Sequence, residues 1–219
     1  KYPDLTTYEW YAPEDVPDES TVLNNVVIQR LPITSNTLSL KVNGKNVSSV
    51  ERGTTVQLCA YCNTSGANVA FKVGKLQSNG EYKYIELSGD KVEYKQLQKG
   101  GSRYYVAEYT FNEMGDYNIY FTASRDNYSV TSNDKKLKVT KASIPTEAIT
   151  APTANTLTYT GQPQELVTPG KLDAQYGTIK YSLSRSSSSF STEIPTKTDA
   201  GTYTVYYKVY GNDDYNDVN

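Results

Sequence analysis

From Thr37 onward the chain alternates apolar and polar residues with a period of two, and no sustained 3.6-residue period interrupts it as far as Lys141. Leu38, Leu40 and Val42 alternate with polar residues and run into Asn43-Gly44, a dipeptide suited to the left-handed turn of a tight hairpin. Val56, Leu58 and Ala60 repeat the alternation after Gly53, and Val69, Phe71 and Val73 supply a third strand. Tyr82 to Leu87 and Val92 to Leu97 read as a hairpin broken at Ser88-Gly89-Asp90, and Gly100-Gly101 turns the chain into Arg103 to Phe111. Tyr117 to Ala123 and Leu137 to Val139 close a unit of seven to nine strands over residues 37–141.

Two flanking regions differ. Residues 1–36 read as an acidic, proline-rich N-terminal arm or the end of a preceding module: up to residue 35 they hold four of the nine prolines, and six acids against two bases. Within them Thr21 to Leu31 is apolar enough for a strand. Residues 142–152 read as a proline-stiffened linker. A smaller β unit follows over 153–219, with strands expected at Leu157 and Tyr159, Glu165 to Val167, Ile179 to Leu183 and Tyr203 to Val209. The two units share a plan, because Gly115-Asp-Tyr117-Asn-Ile-Tyr-Phe121 lines up with Gly201-Thr-Tyr203-Thr-Val-Tyr-Tyr207. Upstream of each lies a matching strand, Val69 to Val73 and Ile179 to Leu183.

The runs Leu157-Thr-Tyr-Thr-Gly161, Ile179-Lys-Tyr-Ser-Leu183 and Asp199-Ala-Gly-Thr-Tyr203, followed by Asn212-Asp-Asp-Tyr-Asn-Asp217, resemble the bacterial Ig-like repeats of secreted and wall-attached surface proteins. Residues 37–141 resemble the wider Ig-like class through their Gly-x-Tyr strand. The resemblance implies an all-β fold of two tandem Ig-like β-sandwiches with an N-terminal extended arm. It implies a corner role for Tyr203, and for Tyr117, whose hydroxyl would bond back to the backbone. It also implies an extracellular location, on a bacterial surface or secreted. Such repeats run on into a further strand after the Asn-Asp turn, so the smaller sandwich reads as cut within the module or as lacking its last strand from the structure; a sheet edge stands open only if that strand is truly absent. The start at Lys1 without Met reads as a piece of a longer multimodular chain, monomeric within it.

Composition narrows the chemistry. There are no histidines, which excludes Ser-His and Cys-His catalysis and His-ligated metals, and two cysteines cannot make a four-thiolate zinc site. No motif organises the carboxylates, lysines and hydroxyls into a catalytic set, so no enzyme, no metal and no cofactor is expected. A net charge of -2 gives no general pull toward nucleic acid, and no segment is long and apolar enough to insert in a membrane. Asp213, Asp214 and Asp217 with Asn212 and Asn216 read as turn formers rather than a calcium loop. Cys59-Ala-Tyr-Cys62 has redox spacing but lies on a strand and reads as structural, with a local disulfide across a bulge as the other case. The lysines 135, 136, 138 and 141 read as guards of a strand edge.

The aromatic content is lopsided, with 21 Tyr, 4 Phe and 1 Trp. Alternation puts Tyr82 and Tyr84 on one face, opposite Ile85 and Leu87, and puts Tyr104 opposite the inward set Tyr105, Ala107, Tyr109 and Phe111. Tyr8, Trp10 and Tyr11 form a second cluster. These six are the candidate ligand-binding residues, their partner being a glycan or a surface protein. Each cluster has a structural reading too: cross-strand tyrosines stabilise a solvated sheet, and Trp10 anchors the arm. The function expected is a non-catalytic adhesion or presentation module, with a carbohydrate-binding module as the alternative. Exposed, coplanar rings would favour the second, and scattered or buried rings the first.

Overall fold

The computed structural model describes residue 33 and residues 36–62 and 65–218. The strand expected within residues 21–31, and the cluster Tyr8, Trp10 and Tyr11, lie outside the described residues.

In chain order the first strands are β1 (Asn36–Val42), β2 (Lys45–Asn46), β3 (Ser49–Glu51), β4 (Thr54–Cys62), β5 (Asn68–Leu76) and β6 (Tyr82–Leu87). Then come β7 (Glu93–Gln96), β8 (Arg103–Phe111), β9 (Gly115–Arg125), β10 (Tyr128–Thr131) and β11 (Lys135–Thr140). They form two sheets, ordered β2-β1-β4-β8-β7 and β3-β11-β9-β5-β6, with β10 paired to one end of β9. Strands from the two halves of the sequence interleave in each sheet, and β1-β4-β8-β7 facing β11-β9-β5-β6 is the strand order of an immunoglobulin sandwich. The alternation explains the assembly. Leu38, Leu40, Val56 and Leu58 from one sheet and Val69, Phe71, Val73, Ile119, Phe121, Leu137 and Val139 from the other are all buried, while their neighbours along each strand mostly face out. Phe71 and Phe121 meet directly, with ring centroids 6.0 Å apart.

The Asn43-Gly44 turn forms as expected, both residues having positive φ (49° and 77°), which matches the twist of the flanking strands. The expected hairpin between Tyr82–Leu87 and Val92–Leu97 does not form. β6 pairs with β5, while β7 pairs with β8 in the other sheet, through Glu93↔Val106 to Gln96↔Arg103. A short 3-10 turn at Gly89–Lys91 carries the chain across. The physical reason is that β7 finds its partner through the Gly100-Gly101 hairpin that follows it, and a strand of four residues gains more from that local closure than from pairing back. Among the described residues eleven strands form instead of seven to nine, the additions β2, β3 and β10 being four residues or fewer.

Two compact units result: the first holds the described residues up to Ser48 with Thr55–Thr110 and Gly115–Lys138, and the second Ser49–Thr54, Phe111–Met114 and Val139–Asn219. The second carries β12 (Thr153–Ala154), β13 (Gln164–Glu165), β14 (Val167–Thr168), β15 (Gly177–Ser182), β16 (Thr196–Lys197) and β17 (Tyr206–Gly211). These make three two-stranded ladders, β12-β14, β13-β16 and β15-β17. Their small core is Ile144, Val167, Ile179, Tyr181 and Val209, with Ala148 and Ile149 packed against it.

The strands expected at Leu157–Tyr159 and at Tyr203–Val205 are not paired; β17 begins only at Tyr206. Both segments have strand-forming sequences, and what they lack is an edge to pair with. Tyr203 does take the corner role, its hydroxyl donating to the Asp199 carbonyl at 2.9 Å. Tyr117 is buried at the equivalent position of the first unit.

The β15-β17 ladder depends on a glycine. Gly177 lies opposite Gly211 with φ at +145°, and a Cβ there would sit 2.0 Å from the Tyr210 carbonyl oxygen. Gly177→Ala is expected to destabilise the second unit by about 3 kcal/mol, read as a lower denaturant midpoint. An unchanged midpoint would contradict this reading of the ladder.

Candidate functional site

The outer face of the six-stranded sheet is organised around a missing side chain. Gly74 on β5 lies opposite Tyr84 on one side and Asn118 on the other. With no Cβ at Gly74, the Tyr84 ring lies directly on its backbone; a Cβ would come within 2.4 Å of the ring. The ring thus crosses β5, and its hydroxyl accepts a hydrogen bond from Asn118 Nδ2 on β9 at 2.9 Å. The same amide nitrogen donates to Asp134 Oδ2 at 2.8 Å, so Tyr84 is held by a short polar chain on an otherwise solvated face. Asn118 is buried beneath it, and its Oδ1 has no hydrogen-bond partner among the described residues.

Tyr82, one alternation away on β6, completes the patch. Its ring centroid is 6.1 Å from that of Tyr84 at an interplanar angle of 39°. Lys136 on β11 sits 4.7 Å from the Tyr82 centroid and donates to its hydroxyl at 3.3 Å. Tyr120 meets Tyr84 edge-on, 5.4 Å away at 71°. Lys72 and Glu86 pair at the rim, and the lysine's hydrogen bond lowers the Glu86 pKa. Tyr84 itself is 38% exposed. Tyr82 and Tyr84 are therefore brought together, as alternation predicts. Tyr120, Asn118 and Gly74 were not singled out in the sequence. The one signal that could have found them is a glycine inside a strand, which marks a place where something approaches the backbone closely.

Tyr104 lies apart, on the outer face of the other sheet. It packs against Tyr61, 5.7 Å between centroids at 57°, with Lys41 5.7 Å over its ring. The two cysteines are free and both buried. The redox spacing is thus carried by two thiols in protein surroundings, and burial pushes both pKa values up, Cys62 to about 11.

The acids near the C-terminus serve the turn that holds them. Asn212 Oδ1 accepts from the amides of Asp214 and Tyr215, and Asp217 Oδ1 accepts from the Gly211 amide at 3.0 Å. Asp214 pairs with Arg52 within the second unit, 2.7 Å apart. Among the described residues no three His, Cys, Asp or Glu side chains gather into a metal-ligating group, and no helix is long and apolar enough to cross a membrane.

No protein-family pattern matches the sequence, and no curated protein matches it. Among solved structures, the crystal structure of murine CEACAM1b is similar over 52% of this chain and 49% of that one, at 17% identity and a TM-score of 0.31. This chain matches about half the length of that structure, and so remote a likeness adds nothing to the fold assignment, which rests on strand order.

The buried thiols make stability depend on pH. An unfolded Cys62 ionises near the ordinary value of 9.0 and the folded one near 11, so the unfolded chain gives up its proton first. The contribution of Cys62 is constant below pH 9 and is lost as pH rises from 9 to 11. Denaturant midpoints at pH 8 and pH 10.5 should therefore fall further for the parent than for Cys62→Ala, in which this slope is removed. Equal falls would place the thiol in water.

Proposed function

We propose that this chain is a non-catalytic extracellular module of a bacterial cell-surface protein, serving adhesion or presentation of a binding domain, and that the Tyr82–Tyr84 face is where it meets a protein partner. The observation that carries this reading is the way Tyr84 is fixed. Its ring is seated on Gly74 and its hydroxyl is held by Asn118, so the aromatic surface is ordered before any partner arrives. Lys136 lies over the Tyr82 ring, Lys72 is paired with Glu86 at the rim, and aromatic residues beside such polar groups are frequent anchors of protein interfaces. Sugar stacking calls for coplanar rings presenting one flat surface. Inclinations of 39° and 71° within the cluster, and the separate sheet of Tyr104, support a protein surface over a glycan platform. The extracellular, bacterial setting is supported by the resemblance carried by residues 157–217.

The test is adhesion of beads coated with the chain to a panel of immobilised cell-surface and matrix proteins, run beside affinity gels cast with soluble polysaccharides. Tyr84→Ala and Lys136→Glu should each lower bead adhesion about tenfold or more, the cost of truncating an interface anchor. Retardation by a polysaccharide that Tyr84→Ala abolishes, with no protein bound, would overturn this reading in favour of the glycan.

A further inference from the structure

The hydroxyls of Tyr82 and Tyr84 are both set as donors, and the groups behind them fix that polarity. Asp134 Oδ2 lies 2.8 Å from one terminal atom of the Asn118 amide, and an ionised carboxylate only accepts, so that atom is the nitrogen. The Tyr84 hydroxyl is 2.9 Å from the same nitrogen and therefore accepts from it. On Tyr82 the same polarity comes from Lys136, whose ammonium donates to the hydroxyl at 3.3 Å and has no lone pair to take a proton back. A phenol that accepts on its oxygen still has its own proton to give. Among the described residues neither of these two protons has an acceptor.

The charge beside them is positive. Lys135, Lys136 and Lys138 on β11 are exposed, and among the described residues none pairs with a carboxylate, whereas Lys72 is matched by Glu86. β11 lies between β3 and β9, so protection of an outermost strand, the role their spacing suggests in the sequence, does not account for these lysines. Three cations thus stand against two acids: Asp134, whose Oδ2 is engaged by Asn118, and Asp116, two residues before Asn118 on β9.

We infer that the Tyr82–Tyr84 face receives an aspartate or glutamate side chain of its protein partner, the carboxylate accepting from both phenols and from Lys136, within an acidic segment that lies toward β11. The inference rests on that face being the site of contact. Two directed hydroxyl donors and one ammonium match the two oxygens and single charge of a carboxylate, and charge-assisted bonds are the stronger class. A lysine or arginine of the partner in the same place would meet an ammonium of its own sign. A glutamine would keep a hydrogen bond and lose the charge. Because Gly74 and Asn118 seat the Tyr84 ring beforehand, its donor is in place without a further ordering cost.

The test follows the Asn118 side-chain amide and the Lys136 backbone amide by NMR in the full chain, as a peptide of about nine residues alternating Glu with Thr is added, beside its Gln counterpart. The Glu peptide should shift both signals saturably below about 10 mM, and the Gln peptide should bind at least about tenfold more weakly. Tyr84→Phe keeps the ring on Gly74 and removes only the hydroxyl; it and Lys136→Met should each weaken the Glu peptide about tenfold, while Tyr104→Phe on the other sheet should leave it unchanged. Equal binding of the two peptides, a Glu peptide indifferent to Tyr84→Phe, or no shift at about 10 mM would each overturn the inference. Bead adhesion to a protein that Tyr84→Ala abolishes would still uphold the protein-partner reading in those cases, so the two fail separately. A glucuronate-containing oligosaccharide that moves the same signals at lower concentration than the Glu peptide would assign the carboxylate to a glycan and overturn both. Movement of these signals on dilution of the chain alone would assign the face to a second copy and overturn the inference.

Discussion

A β-strand satisfies its backbone only when both of its edges have partners, and that requirement organises this protein more than any single side chain does. The first unit meets it by interleaving. β4 and β8 lie inside one sheet, β9 and β5 inside the other, and the short strands β2, β3, β6 and β7 take the outside places. The inward residues of both sheets then close on Phe71 and Phe121, both fully buried. In the second unit the ladders are two strands wide, and among the described residues the second edge of β17 is paired only at Val209, with Val218.

The exposed rings of the two units follow from that contrast. On the closed unit, an outer sheet face is free to specialise because the core is already complete behind it. Gly74 removes a side chain from the middle of that face, and Tyr84 fills the space from the neighbouring strand. On the open unit, rings that alternation assigns to the core remain exposed, since nothing among the described residues lies over them. Tyr84 is thus an outward residue drawn down onto the sheet, and Tyr207 is an inward residue left uncovered. Their exposures are similar, 38% and 45%, for opposite reasons.

Much of the fold was legible in the sequence because period-two alternation is a local property. The Asn43-Gly44 turn, the burial of Leu38, Leu40, Val56 and Leu58, and the hydroxyl contact of Tyr203 are all fixed within a few residues. The crossing between β6 and β7 was not legible, since two strands of equal character with a short connection read as a hairpin whichever sheet each joins. Nor were the gaps at Leu157–Tyr159 and Tyr203–Val205, where the residues favour strands and only the missing partner decides. Of the candidate site, Tyr82 and Tyr84 could be placed on one face, but Gly74, Asn118 and Lys136 come from other strands. Their meeting depends on register, which a single sequence does not display.

Residue-resolved hydrogen exchange of the folded chain tests most directly whether one unit is closed and the other open. Amides of Leu58, Phe71, Ile119 and Phe121 should exchange slowly, and Val209, held by Val218, more slowly than its neighbours toward Tyr203. The amides of Tyr203, Val205 and Tyr207 should exchange orders of magnitude faster than those of the first unit's inner strands. Protection of Val205 and Tyr207 comparable to that of Val209 would mean that the edge is already covered, and would contradict the account.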